Sequence, residues 1–295
     1  MHQISLSDRL RGAVLGQFIG GAVSDKTRSF TQYNDAALLL LHSLKDQHGF
    51  SARDFGRRFV EKFASPAYIH SKNKTASETI ENYFLSLEEG HPDLGYEFQG
   101  GANTADIDTA TRLAPVVAIY WDDPKLLAIV DKVTRVTQNN ELAVAYMRSY
   151  TRILCALFQG EQLPLIFINE SKSVTNDTPI DLHVRKKVKE AIDLEAKSIG
   201  EASKQLGNGS YLDQSYPLAI HSALKNAQSF ENGILDSTSA GGDSIGRAAL
   251  IGSWLGAHLG IPNIPHGDLI NHTEIEKDTE VLLNIQTFRS SERIL

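Results

Sequence analysis

The sequence predicts an all-α fold in one domain over residues 1–295. Helix caps recur along the chain, each ahead of apolar residues spaced three and four apart. Alternating strand patterns are nearly absent, and the short run Leu163 to Ile168 is the one β-like candidate. No linker, internal repeat or low-complexity tract divides the chain. A glycine ladder stands at each end: Gly12, Gly16 and Gly20 near the start, and Gly252, Gly256 and Gly260 near the finish. Residues four apart share one helix face, and two bare faces let helix axes come unusually close. The first and last long helices are therefore expected to pack together, around the turn Gly241-Gly242-Asp243.

Each element has a local reason. Asp8 can cap a helix from Arg9 that carries the first ladder. A polar linker, Ser24 to Gln32, leads to Tyr33-Asn34-Asp35 and then to Ala36 through Leu41. That run is apolar all round, so its helix should be deeply buried. Ser51 with Asp54, and Thr75 with Glu78, have capping-pair spacing ahead of apolar runs. Asp122 and Pro124 open a helix that reaches Thr137. Glu141 to Phe158 is amphipathic and stops at Gly160. Pro179 to Gly200 reads as one charged helix, and Gly207-Asn208-Gly209 breaks the chain after it. Pro217 to Gln228 reads as the last helix before the Asp243 turn.

Composition narrows the function classes. A net charge of −7 argues against nucleic-acid binding, which needs a basic face. The basic run Arg185 to Lys189 lies among Glu190, Asp193 and Glu195 and reads as a solvated helix face. No run approaches the roughly 20 apolar residues of a membrane helix, and no secretory leader is visible. The one cysteine, Cys155, cannot form a disulfide within the chain, which suits a cytoplasmic location. The dispersed histidines, His70, His221 and His258 among them, read as surface or satisfied core residues.

Zinc spacing, a phosphate-cradling loop, a dinucleotide fingerprint and a nucleophile elbow are all missing. What remains is a set of carboxylates at helix starts: Asp35, Asp106, Asp108 and Asp243. Asp is a preferred N-cap, so each can simply cap its helix. Carboxylates gathered from several helix ends can also hold Mg²⁺, a hard cation that takes oxygen ligands. Arg247, four residues after Asp243, is placed either for an ion pair with it or for a substrate phosphate.

These stretches, in this order, resemble the ADP-ribosylglycohydrolase superfamily, in its J-crystallin-like branch. Asp8 through Gly20 is similar to that family's first helix. Tyr33-Asn34-Asp35-Ala36-Ala37-Leu38 stands where metal-binding members carry Thr-Asp-Asp-Thr-Ala-Leu. Thr111 through Pro115 resembles the central Arg-x-x-Pro element, and Thr137-Gln138-Asn139 the later Thr-His-Asn. Gly241 through Gly246 occupies the place of Gly-Gly-Asp-x-Asp-Thr.

The resemblance implies an all-α fold around two Mg²⁺ ions that help cleave the glycosidic bond of ADP-ribosylated substrates. Asp35 and Asp243 match catalytic metal ligands. Asp106, Asp108, Arg112, Gly241, Gly242 and Arg247 are the candidate substrate-binding residues. Several family ligands are replaced: Asn34 and Ile245 stand for Asp, Ala36 and Gly246 for hydroxyl residues, and Gln138 for His. Gly21 stands where many members have Asp. Two Mg²⁺ ions bring four positive charges and two retained carboxylates offset only two, so one weakly held Mg²⁺ is the most this set is expected to bind. Two functions follow from the resemblance. One is a hydrolase of ADP-ribose-type ligands with weakened or lost activity. The other is a non-catalytic protein of the J-crystallin kind.

Overall fold

The computed structural model describes residues 4–22, 29–90, 100–172, 178–265 and 269–294. Among them are fourteen α-helices, two short 3-10 turns and no strand, as the sequence predicts. The helices are α1 Leu6–Gly21, α2 Gln32–Asp46, α3 Ala52–Phe63, α4 Lys74–Glu88, α5 Ala114–Tyr120, α6 Leu126–Thr137 and α7 Glu141–Phe158. They continue with α8 Leu163–Lys172, α9 Pro179–Asp193, α10 Ile199–Leu206, α11 Leu212–Lys225, α12 Phe230–Ser239, α13 Ser244–Leu259 and α14 His272–Ile294. The described residues contain no helix long and apolar enough to cross a membrane.

The two glycine ladders meet, antiparallel, on α1 and α13. A Cβ built on Gly12 would lie 2.1 Å from the Gly256 carbonyl oxygen, and one on Gly16 would lie 2.1 Å from that of Gly252. On Gly20 it would meet the Ala248 oxygen at 2.0 Å. No real Cβ tolerates such a contact, so the backbones touch where side chains would normally hold helices 8–10 Å apart. The ladder ends differently from expectation at Gly260. That residue has φ +73° and terminates α13, a left-handed conformation that glycine adopts without strain.

Around this seam the core is aromatic. Trp254 of α13 is fully buried, with the rings of Tyr150, Phe167 and Tyr216 at 5.8, 5.5 and 5.5 Å. Buried hydroxyls find partners: Tyr150 donates to Ser253 Oγ at 2.9 Å and Tyr216 to Ser149 Oγ at 3.0 Å. Cys155 packs beside this core, and burial pushes its thiol up to about 12, so it is an inert small side chain.

Several local expectations are corrected. Leu163 to Ile168 opens helix α8 rather than a strand, because a short apolar run fits either period and length decides. Ser5, not Asp8, caps α1; Asp8 is the third residue of the same capping box, its Oδ2 accepting from Ser5 N–H at 3.2 Å. Asn73 caps α4 in place of Thr75. The helix assigned to Pro179–Gly200 ends at Asp193, and α10 is separate. Pro217 lies inside α11, and α12 intervenes before Asp243. The sequence reading missed α14 altogether, because its apolar residues do not keep to one face: Ile275 and Leu282 are buried while Phe288 is 63% exposed. The Ser24–Gln32 linker lies partly outside the described residues.

Candidate functional site

The charges of Asp106 and Asp243 reach Asp108, and Tyr33 at the start of α2 bonds to Asp243 at the start of α13. Asp35 lies in the first turn of α2 and Asp243 is the N-cap of α13. Asp108 opens the 3-10 turn Asp108–Thr111, and Asp106 lies two residues before it. Two backbone bonds pin that segment against the start of α11: Ile107 N–H to Ser210 O at 2.9 Å, and Leu212 N–H to Ala105 O at 2.8 Å. Ser210 Oγ also donates to Asp106 Oδ1 at 2.9 Å. Gln138, in the place of the family's His, is fully buried beneath the segment. Its amide donates to the Asp106 carbonyl at 2.8 Å and accepts from Thr109 N–H at 2.8 Å and Thr109 Oγ1 at 2.7 Å.

Each carboxylate has a polar neighbour that sequence reasoning did not assign. The Tyr33 hydroxyl donates to Asp243 Oδ2 at 2.7 Å, while Asp243 Oδ1 accepts the Gly246 N–H at 3.1 Å. Tyr68 donates to Asp35 Oδ2 at 3.0 Å, and His70 Nε2 lies 3.7 Å from the same oxygen. Asn73 caps α4 with its oxygen and gives its amide N–H to Asp108 Oδ1 at 2.5 Å. Tyr33 is almost wholly buried; burial first, then the charges of Asp108 and Asp243, raise its phenol well above the ordinary value. Burial raises Tyr68 likewise, and Asp35 adds to it. Both phenols therefore stay protonated donors.

Asp108 is the most perturbed acid. Burial pushes its carboxyl up to about 6, opposed by the charge of Arg112 and the Asn73 hydrogen bond. Arg112 is buried too, and desolvation lowers it to about 10, so it remains a cation. Its guanidinium stacks over Phe59 at 5.8 Å and Phe55 at 6.0 Å, and it donates to the Asp108 carbonyl at 3.1 Å and to Thr137 Oγ1.

Arg247 does not make the expected ion pair. It is fully buried, and its guanidinium donates to the carbonyls of Asn208 at 2.5 Å, Ser237 at 3.2 Å and Gly241. Arg247 thus clamps the turn that presents Asp243. A guanidinium that donates to three carbonyls is held away from the carboxylate four residues earlier. Gly241 and Gly242 have φ +68° and +62°, and a Cβ on Gly242 would lie 2.0 Å from the Asn208 oxygen. These glycines let the turn close against residue 208.

The replaced family positions are built into the fold. Asn34 forms a capping box with Thr31: its oxygen accepts from Thr31 N–H at 3.2 Å, and its amide donates to the Phe18 carbonyl at 2.9 Å. A Cβ on Gly21 would come within 3.0 Å of that amide, so the glycine there makes room for Asn34. Ile245 packs against the hydrophobic core. At Gly246 a Cβ would meet Ile107 Cγ2 at 2.6 Å and both Asp243 oxygens at 3.1 Å, leaving no place for a hydroxyl side chain.

An all-α body with carboxylates collected at helix starts, closed by a glycine seam, defines a class of protein as well as a shape. The chain belongs to the ADP-ribosylglycohydrolase family, whose sequence profile matches residues 2–290. It is 22% identical over 246 residues to crystallin J1A of Tripedalia cystophora, covering 80% of this chain and 73% of that one. With crystallin J1B of the same organism it shares 21% over 273 residues, 88% of this chain and 81% of the relative. With the ADP-ribosylhydrolase ARH3 of Danio rerio it shares 24% over 312 residues, 87% and 83% of the two chains. A solved structure, described as an ADP-ribosylglycohydrolase-related protein complex, superposes with a TM-score of 0.70 at 20% identity, covering 96% of this chain and 99% of that one; it shares the fold.

Proposed function

We propose that this chain is an ADP-ribosylglycohydrolase-family protein whose two-metal hydrolysis is lost or greatly slowed, on one domain that keeps a pocket for an ADP-ribose-type ligand. The observation that carries this reading is the environment of Asp243. Its two oxygens already accept hydrogen bonds from Tyr33 and Gly246, and Ile245, two residues on, is partly buried against the core. An Mg²⁺ site requires near-octahedral oxygen ligands. Here Asn34 is spent on a cap, Gly246 has no room for a hydroxyl, and Asp35 and Asp108 hold Tyr68 and Asn73. Among the described residues, none of these carboxylates belongs to a group of three His, Cys, Asp or Glu ligand atoms close enough to share an ion. The residues present do not fit a binuclear Mg²⁺ centre. One weakly held Mg²⁺ would compete with the Tyr68 and Tyr33 hydroxyls for Asp35 and Asp243.

The relatedness to crystallins J1A and J1B supports a second reading, a non-catalytic role in which only the stable fold matters. A cytoplasmic setting suits both. The test is direct. Incubated with Mg²⁺ and ADP-ribosyl-arginine, ADP-ribosyl-serine or O-acetyl-ADP-ribose, the protein should release ADP-ribose slowly or not at all. Turnover in the ordinary range of roughly 1–10³ s⁻¹, abolished by Asp35→Ala, would sink both readings. Binding of free ADP-ribose, measured by calorimetry, separates the first from the second.

A further inference from the structure

A second cluster lies on the face between α2 and α14. His42 lies seven residues after Asp35 on α2, about 10 Å along the helix at 1.5 Å per residue. It faces Glu274 and Asp278, which are four apart and so share one face of α14. His42 Nε2 is 3.4 Å from Glu274 Oε1 and 3.3 Å from Asp278 Oδ2. The three ligand atoms lie within 4.8 Å of one another. Asp278 is only 4% exposed.

Lys45 accounts for part of this arrangement. Its ammonium donates to both Asp278 oxygens, at 2.9 and 2.8 Å, and so balances that buried charge. It does nothing for the imidazole. His42 Nε2 is sealed from solvent and makes no hydrogen bond, although two carboxylate oxygens stand beside it. A neutral imidazole nitrogen held there without a hydrogen bond loses its solvation uncompensated. The spacing suggests what completes it. A tetrahedral ion with ligand bonds of about 2.0–2.1 Å separates its ligand atoms by about 3.3 Å.

We propose that His42, Glu274 and Asp278 form a site for one divalent transition-metal ion, of which Zn²⁺ suits one imidazole and two carboxylates. Water completes the fourth position. The ion ties α14 to the helix whose first turn carries Asp35. Lys45 is its built-in competitor: when metal binds Asp278 Oδ2, the ammonium keeps Oδ1 or swings to solvent, toward which its side chain is already 29% exposed. The site uses none of the residues around Asp243 and does not depend on the reading given to them.

The full chain, stripped with EDTA, is titrated with Co²⁺ as a spectroscopic stand-in for Zn²⁺. One equivalent should give the intense visible absorption of four-coordinate cobalt, displaced by Zn²⁺ and untouched by Mg²⁺. Zn²⁺ should also raise the melting temperature, since it binds the folded chain. His42→Ala should weaken Co²⁺ binding by more than the roughly 10–100-fold that outer-shell changes cost. Glu274→Gln, at a half-exposed position, should do the same. Lys45→Met should tighten binding, and Asp243→Asn should leave it unchanged. No band in the parent, or a band that survives in His42→Ala and Glu274→Gln, overturns the site. A band seen only in Lys45→Met overturns it too, and would mean that the ion pair closes the cluster to metal.

Discussion

The middle and the head of α13 show two ways of holding a helix in place. In the middle, Gly252 and Gly256 press their carbonyls against Gly16 and Gly12 with no side chain between. At the head, Asp243 is held by a phenol, a backbone amide and a turn that Arg247 clamps through three carbonyls. The seam is governed by volume, and one added carbon ruins it. The head is governed by hydrogen-bond pairing, where one donor can stand for another. A family can therefore change the chemistry at the head while the seam keeps the fold.

The sharpest way to break this contrast is at the seam. A Cβ on Gly256 would lie 2.0 Å from the Gly12 oxygen, so Gly256→Leu should cost about 3 kcal/mol or more, or prevent folding, by overpacking. Helix propensity alone would predict a gain of several tenths of a kcal/mol. Denaturant midpoints decide, and a variant as stable as the parent would show that the helices are not in backbone contact.

A smaller effect is expected at Asp108, and it depends on pH. Burial holds this carboxyl at about 6, above its ordinary 3.8, so the folded chain binds the proton more tightly than the unfolded chain does. The stability this contributes is fully present below about pH 4 and is lost as pH rises through 6. The ionised form then costs roughly 3 kcal/mol relative to the neutral one. Asp108→Asn removes the titration. Against the parent, it should gain stability between pH 3 and pH 7.5, by up to about that amount. A difference that stays flat with pH would mean that Asp108 is solvated and titrates normally.

At Asp243 the expected changes are smaller again. Asp243→Ala loses the cap and strands the Tyr33 hydroxyl, about 1–2 kcal/mol. Asp243→Asn keeps an acceptor for Gly246 and should shift stability by only a few tenths of a kcal/mol. Parent and Asn variant should melt alike in EDTA and in millimolar Mg²⁺. An upward shift with Mg²⁺ in the parent alone would return the head of α13 to metal chemistry.

Much of the seam was legible because its signal is local: glycines four apart announce a bare face wherever they occur. The cap at Asp243 was legible for the same reason, and Gly246 N–H is its partner three residues on. The donors were not. Tyr33 lies 210 positions from Asp243, and Tyr68 and Asn73 lie 33 and 35 positions from Asp35 and Asp108. No periodicity pairs residues at those separations. His70 reads from the sequence as a surface or satisfied core histidine, and the fold sets it beside Asp35. Arg247 misled in the opposite sense. Its i,i+4 spacing from Asp243 suggests an ion pair, and only its burial beside the carbonyls of Asn208, Ser237 and Gly241 turns the guanidinium elsewhere.

The seam also sets the order in which the chain can fold. Gly12 and Gly256 touch, and 244 positions separate them. Long-range contact of this kind is slow to form, because the intervening chain must be organised before the contact is gained. During synthesis at about 5–20 residues per second, the face of α1 waits roughly 10–50 s for α13 to be made. Until then its carbonyls and apolar flanks have no native cover. Folding cannot finish from the N-terminus outward, and a chain cut short before α13 would be a substrate for chaperones and proteases rather than a smaller version of the protein.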